Sequence, residues 1–202
     1  MGFVEFYNAK DSHIWDKFRE GNTSAFEMIY ERHIKVLANY GNRMSGDAEM
    51  VKDAIQDMFV GLWRNRINLG STDSIKFYLI KAFRRNLIKK IVAAKKSDAH
   101  VDVHSTFDGS FELAHDISII QMEIEESKLN ELNTQLDNLS PRQKETLFLR
   151  FYSGLNYTEI SKTMGIRQQS AYNMVFRALE ILRERMAHTF SSILILLISF
   201  PT

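Results

Sequence analysis

Apolar side chains recur at three- and four-residue steps between Asp47 and Arg66, where Val51, Ala54, Ile55, Met58, Phe59, Leu62 and Trp63 fall on one stripe. That spacing is the period of a helix that buries one face. The same period, less regular, runs from Ala25 to Tyr40 (Phe26, Ile29, Tyr30, Ile34, Leu37) and from Ile75 to Val92 (Phe77, Leu79, Ile80, Phe83, Leu87, Ile88, Ile91). Three helices therefore make a first domain over residues 1–95. From Lys96 to Ile119 the pattern stops: Ser, Asp, His and Gly are mixed with few regularly spaced apolar residues. A connection exposed to water is expected there, with residues 96–120 a flexible linker.

A second helical domain, residues 121–188, carries sharper punctuation. Ser140, Pro141 and Gln143 combine an N-cap serine, a proline where its missing N–H costs nothing, and a glutamine placed to close a capping box. Asn156 and Glu159 repeat that logic ahead of Ile160 to Met164; Gly165 and a last helix from about Gln168 to Ala187 follow. Short helix, glycine turn and longer helix spell a helix-turn-helix. Ile160, Met164 and Ile166 are expected to pack on Ala171, Val175 and Leu179. The second helix then presents Arg167, Gln168, Gln169, Ser170, Tyr172, Asn173 and Arg177, side chains of the kind that read base edges and hold phosphates. Arg167 stands at the N-cap without a capping side chain, which favours a contact role. Residues 189–202 form an apolar tail; its run from Ile193 to Ile198 is far short of the ~20 apolar residues a membrane span needs.

Composition sharpens this reading. The 202 residues include only two prolines, Pro141 and Pro201, so long helices run without interruption and an all-α architecture follows. Cysteine is absent, which excludes disulfides and thiolate metal sites and agrees with a cytoplasmic setting. The start of the chain, Met1 to Lys10, has no secretory signal pattern. A net charge of +1 conceals segregation. Between Ser74 and Ser97 lie Lys76, Lys81, Arg84, Arg85, Lys89, Lys90, Lys95 and Lys96 without one acid. From Asp98 to Asp137 acids dominate and Lys128 is the lone base. The basic stretch interleaves Phe77, Tyr78 and Phe83, a combination suited to gripping phosphates and stacking unpaired bases. Opposite the apolar stripe of the 47–66 helix, Asp53, Gln56 and Asp57 form a polar ridge suited to a basic helical partner.

No Gly-rich phosphate loop, helical metal-ligand pair or activated nucleophile occurs, so an enzyme is not expected and neither a cofactor nor a small-molecule substrate is implied. His100, His104 and His115 are scattered in the linker and are read as unliganded, with no metal site.

The run Asp53-Ala54-Ile55-Gln56-Asp57-Met58-Phe59-Val60-Gly61-Leu62-Trp63 resembles the region-two signature of the extracytoplasmic-function (ECF) sigma-70 factors. In that family this helix docks on the clamp helices of RNA polymerase. The resemblance implies Asp53, Gln56, Asp57 and Trp63 as polymerase-side residues, with Phe59 and Leu62 in the same signature. Ser74-Ile75-Lys76-Phe77-Tyr78-Leu79, followed by Arg84, resembles the family's promoter-melting helix. It implies minus-ten contacts by Tyr78, Lys81, Arg84, Arg85, Asn86, Lys89 and Lys90. Where the family has an Arg-Asn pair, this chain has Arg84-Arg85, with Asn86 displaced by one.

Leu139 to Arg185 resembles region four, which binds the minus-35 element and the polymerase flap; Leu139-Ser140-Pro141-Arg142-Gln143 and Tyr157-Thr158-Glu159-Ile160 carry that match. The second domain is similar in style to Bacteroidetes-type sigma factors, which implies a membrane-bound anti-sigma partner. The rival reading is a helix-turn-helix regulator that acts without being a polymerase subunit.

Overall fold

The computed structural model describes residues 9–94 and 126–186, together with Phe6 and Phe107. The side chains of 126–130 are not described, and most of the linker and the whole 189–202 tail lie outside the described residues. The chain divides into two units, Met1–Val103 and His104–Thr202.

Among the described residues the first unit packs four helices: α1 (Asp11–Arg19), α2 (Thr23–Ser45), α3 (Ala48–Asn65), which runs into a 3-10 turn (Arg66–Asn68), and α4 (Ile75–Ala94). The periodicity anticipates three of these and misses α1. That helix is only nine residues long and buries Ile14, Trp15 and Phe18, too few positions to establish a period. Local caps set the other boundaries. The Asn22 side chain accepts a hydrogen bond from the Ala25 N–H at 2.9 Å to start α2. Gly46 ends it in the left-handed conformation with φ 65°, and the Asp47 carboxylate, accepting from the Met50 N–H at 3.0 Å, opens α3 at once.

The start of α4 is held from a distance. Ser74 Oγ accepts from the Phe77 N–H at 3.3 Å, while Asp11 Oδ2, on α1, accepts from the Ile75 N–H at 2.8 Å. Trp15 Nε1 donates to the Gly70 carbonyl at 2.8 Å, fastening the α3–α4 connection to the same helix. Trp15, Phe18, Leu37, Tyr40, Leu79, Phe83 and Leu87 are fully buried between the helices, each contributing of order 1.5–3 kcal/mol by leaving water. Gly41 lets α2 approach its neighbours: a Cβ there would lie 2.6 Å from Val51 Cγ1 and 2.8 Å from Phe83 Cζ.

The second unit contains α5 (Glu126–Asp137), α6 (Pro141–Leu147) continuing as a π-helical turn (Phe148–Tyr152), α7 (Tyr157–Met164) and α8 (Gln168–Arg185). Both expected capping boxes form. Ser140 Oγ and the Gln143 side chain exchange hydrogen bonds with each other's backbone N–H, and Asn156 and Glu159 do the same at 2.9 Å. Gly165 adopts φ 68° between α7 and α8, the conformation that the tight turn requires. Ile160 and Met164 of α7 and Ala171, Val175, Ala178 and Leu182 of α8 are buried. Leu179, expected in that core, is only half-buried, because the inward face of α8 passes through Ala178 and Leu182 instead. One linker residue departs from the exposed connection expected of it. Phe107 is buried, with its ring 6.1 Å from that of Phe148 in an edge-to-face contact.

Candidate polymerase and nucleic-acid interfaces

On α3 the helical period separates two classes of side chain. Asp53, Gln56 and Asp57 are exposed, whereas Phe59 and Leu62, which the family signature places with them, are 4% and 5% exposed and belong to the core. Leu62 is therefore a packing residue in this chain. Phe59 has a second role, since it forms part of the floor of an open groove of about 620 Å³ running between α2 and α3. Val51, Ile55 and Trp63 line the groove from α3, Phe26, Tyr30 and Ile34 line it from α2, and Gln56, Lys52 and Arg64 stand among its lining residues. Tyr30 and Val60 there are more than 40% exposed. The aromatic walls brace one another: Phe26 lies 5.0 Å from Trp63 and 6.0 Å from Phe59, and Tyr30 lies 5.0 Å from Phe59. The Arg66 guanidinium sits over the Trp63 ring at 4.5 Å. Sequence periodicity did not reveal this groove because half of it comes from another helix.

Along α4 the basic residues are not equivalent. Lys81, Arg85 and Lys89 are exposed, Asn86 is half-buried, and Arg84 is only 7% exposed. Burial removes Arg84 from the set expected to touch phosphate directly. Lys90 forms an ion pair with Asp57 of α3 at 2.7 Å. The helix that carries no acid of its own thus receives one from the polar ridge beside it. Lys81 Nζ lies 5.7 Å from the centre of the Phe77 ring. Tyr78 packs on Trp15 at 4.8 Å, and burial pushes its hydroxyl above the ordinary tyrosine value although Arg85 pulls the other way, so it stays a neutral hydrogen-bonding group.

In the second unit, Arg167, Gln168, Gln169, Tyr172, Asn173 and Arg177 are all exposed on one side of α8, with Ser170 half-buried at the edge. Arg167 occupies the N-cap with no side-chain cap, as its residue type implies. Gln169 Nε2 donates to Asn173 Oδ1 at 3.0 Å, aligning two amides one turn apart. One residue escaped the sequence reading: Phe176 is 49% exposed and stacks on Tyr172, which is 45% exposed, with ring centres 6.2 Å apart. Its place one helical turn after Tyr172 was the available signal. Among the described residues no group of His, Asp and Glu side chains is arranged to hold a metal ion.

Comparison with known proteins assigns both units. Residues 29–97 match the family model for sigma-70 region 2, and residues 129–182 match sigma-70, region 4. The ECF RNA polymerase sigma factor SigX of Bacillus subtilis (strain 168) is 20% identical over 163 residues, covering 80% of this chain and 83% of SigX. Among solved structures, CnrH, in complex with the cytosolic domain of CnrY, has the same fold with a TM-score of 0.57 at 17% identity, covering 89% of this chain and 98% of CnrH. RpoE, in complex with the anti-sigma factor NepR from Bartonella quintana, gives a TM-score of 0.55 at 16% identity over 80% of this chain and 96% of RpoE. With regions 2 and 4 in order on one short chain and an ECF factor among its relatives, the chain belongs to the sigma-70 family of RNA polymerase sigma factors, as a member of the ECF type.

Proposed function

We propose that the chain joins core RNA polymerase through the α2–α3 groove and the ridge beside it, and reads its promoter with α4 and α8. The observation that carries the polymerase assignment is the groove itself. An apolar channel between two helices, flanked on α3 by Asp53, Gln56 and Asp57, fits an amphipathic helical partner with basic flanks. The clamp helices of polymerase are such a partner. Trp63 and Phe59 supply the apolar contact and the exposed carboxylates supply orientation.

Next to that surface, Tyr78, Lys81, Arg85, Asn86, Lys89 and Lys90 hold the minus-ten strand as it leaves the duplex. Cations track the phosphates and the aromatic rings receive bases, offsetting an unstacking cost of a few kcal/mol per step. Arg84, buried in the unit, does not share in that contact. In the second unit, α8 enters the major groove at the minus-35 element with Arg167, Gln168, Gln169, Ser170, Tyr172, Asn173 and Arg177, and the same unit meets the polymerase flap. Residues 96–120 link the two functions, with Phe107 belonging to the second. Polymerase performs the chemistry, and the chain needs neither cofactor nor small-molecule substrate. It works in the cytoplasm; no helix among the described residues is long and apolar enough to cross a membrane. An anti-sigma partner anchored in the membrane, in the manner suggested by the CnrH complex with a cytosolic domain, holds it inactive.

Run-off transcription by core polymerase from DNA upstream of the chain's own gene, with and without the protein, tests this reading. Transcripts that depend on the protein are expected, and the Asp53→Arg/Asp57→Arg double variant should lower them at least tenfold while still binding duplex DNA. Duplex binding without any dependent transcript would move the chain to the regulator class.

A further inference from the structure

We propose that Tyr172 and Phe176 form a reader of thymine methyl groups, so that the upstream promoter element of this factor carries thymines at two positions facing them. The inference rests on the assignment of α8 to the duplex made above, and adds a base identity to it. The two rings are parallel to within 14°, project from successive turns of α8, and are about half exposed. They are also braced. Tyr157 of α7 meets Tyr172 edge-on at 5.3 Å, and the Arg150 guanidinium lies over Tyr157 at 5.0 Å while donating to the Leu155 carbonyl at 3.2 Å. Such bracing reduces the rotamer entropy lost when the rings are covered.

The surroundings select the occupant. Gln169 and Asn173 lie on the same face, and Arg167 and Arg177 stand exposed near the two ends of the pair. A polar, cationic frame around an apolar pair suits a major groove, where phosphates flank the base edges and the thymine C5-methyl is the one apolar group on offer. Covering one methyl is worth a factor of about four in affinity, the equivalent of about 0.8 kcal/mol.

The test uses the full chain with core polymerase and a pool of duplexes randomised across the upstream element. The selected duplex is then remade with deoxyuridine, which lacks only the methyl, at each thymine in turn. The expected result is a selected sequence in which two such replacements each weaken binding about fourfold. Phe176→Ala and Tyr172→Ala, both at exposed positions and so expected to fold, should each bind more weakly and lose the distinction at one of those sites. A selected sequence bound equally well with deoxyuridine and with thymine would overturn the inference and leave α8 as a duplex reader; the Tyr172–Phe176 pair would then be a protein-docking face. Discrimination that survives both alanine substitutions would overturn the assignment to these residues. If no sequence is selected at all, the duplex reading of α8 falls together with the inference.

Discussion

The two units place their candidate contact residues by different means. In the second, every exposed reader on α8 lies within eleven consecutive residues, Arg167 to Arg177, and its orientation follows from one glycine turn and two capping boxes written in adjacent residues. In the first, no single helix carries the site. The groove needs α2 and α3, the Asp57–Lys90 pair needs α3 and α4, and the N-terminus of α4 is capped from α1, 64 residues away. A recognition helix can thus be specified locally, whereas a surface for a helical partner and a melted strand is a product of packing. Substitutions far from the contacts should accordingly disturb the first unit's site more than the second's.

The largest expected effect comes at the closest approach in the first unit. Gly41→Ala forces a methyl group against Val51 and Phe83. It should destabilise that unit by about 3 kcal/mol, the upper part of the range for overpacking. Thermal unfolding followed by Trp15 and Trp63 fluorescence should shift down sharply, while amide-exchange protection in α7 and α8 stays unchanged. Equal loss of protection in both units would break the comparison.

Acid provides the next test. His33 is 6% exposed, its Nδ1 makes no hydrogen bond among the described residues, and its pKa is lowered to about 4. Burial is the main cause; Asp11 opposes it, and Lys76 and Arg32 reinforce it. A depressed histidine pKa means that the unfolded chain binds the proton more readily. The stability derived from neutral His33 is therefore complete above pH ~6.5 and drains away as pH falls towards about 4. A loss of order 2–3 kcal/mol is expected across that window in urea titrations. His33→Leu should flatten the dependence, and an unchanged slope would dismiss His33 as its source.

The smallest effects compare the caps directly. Asp11→Ala removes the remote cap of α4, and Ser140→Ala removes the local cap of α6. Each should cost about 1 kcal/mol. Their consequences should differ: the first should slow promoter opening by detaching the start of α4, as read by permanganate reactivity of unpaired thymines, whereas the second should leave opening at its original rate. Equal rates in the two variants would mean that remote capping does not position the melting helix.

Much of this organisation was legible in the chain. The three longer helices of the first unit, both capping boxes, Gly165 and the uncapped Arg167 were readable because each is a relation among residues a few positions apart. Helix α1 was not, since three apolar residues do not define a period and its stability comes from docking. Burial of Arg84 and Phe107 was hidden for a related reason. A basic side chain in a basic run, and an aromatic one in a polar linker, give no local sign of the surfaces that cover them.

By itself the sequence determined the all-α class, the order of two helical units, the helix-turn-helix and the segregation of charge, because backbone hydrogen bonding and amphipathic periodicity act over a few residues. Only the tertiary structure decided that Phe59 floors a groove while Leu62 is core, that Asp57 meets Lys90 in an ion pair, and that Asp11 and Trp15 hold α4 and its connection in place. Those outcomes depend on which faces of distant helices meet, and contact energies of that kind are set by packing in three dimensions, where sequence separation carries no information.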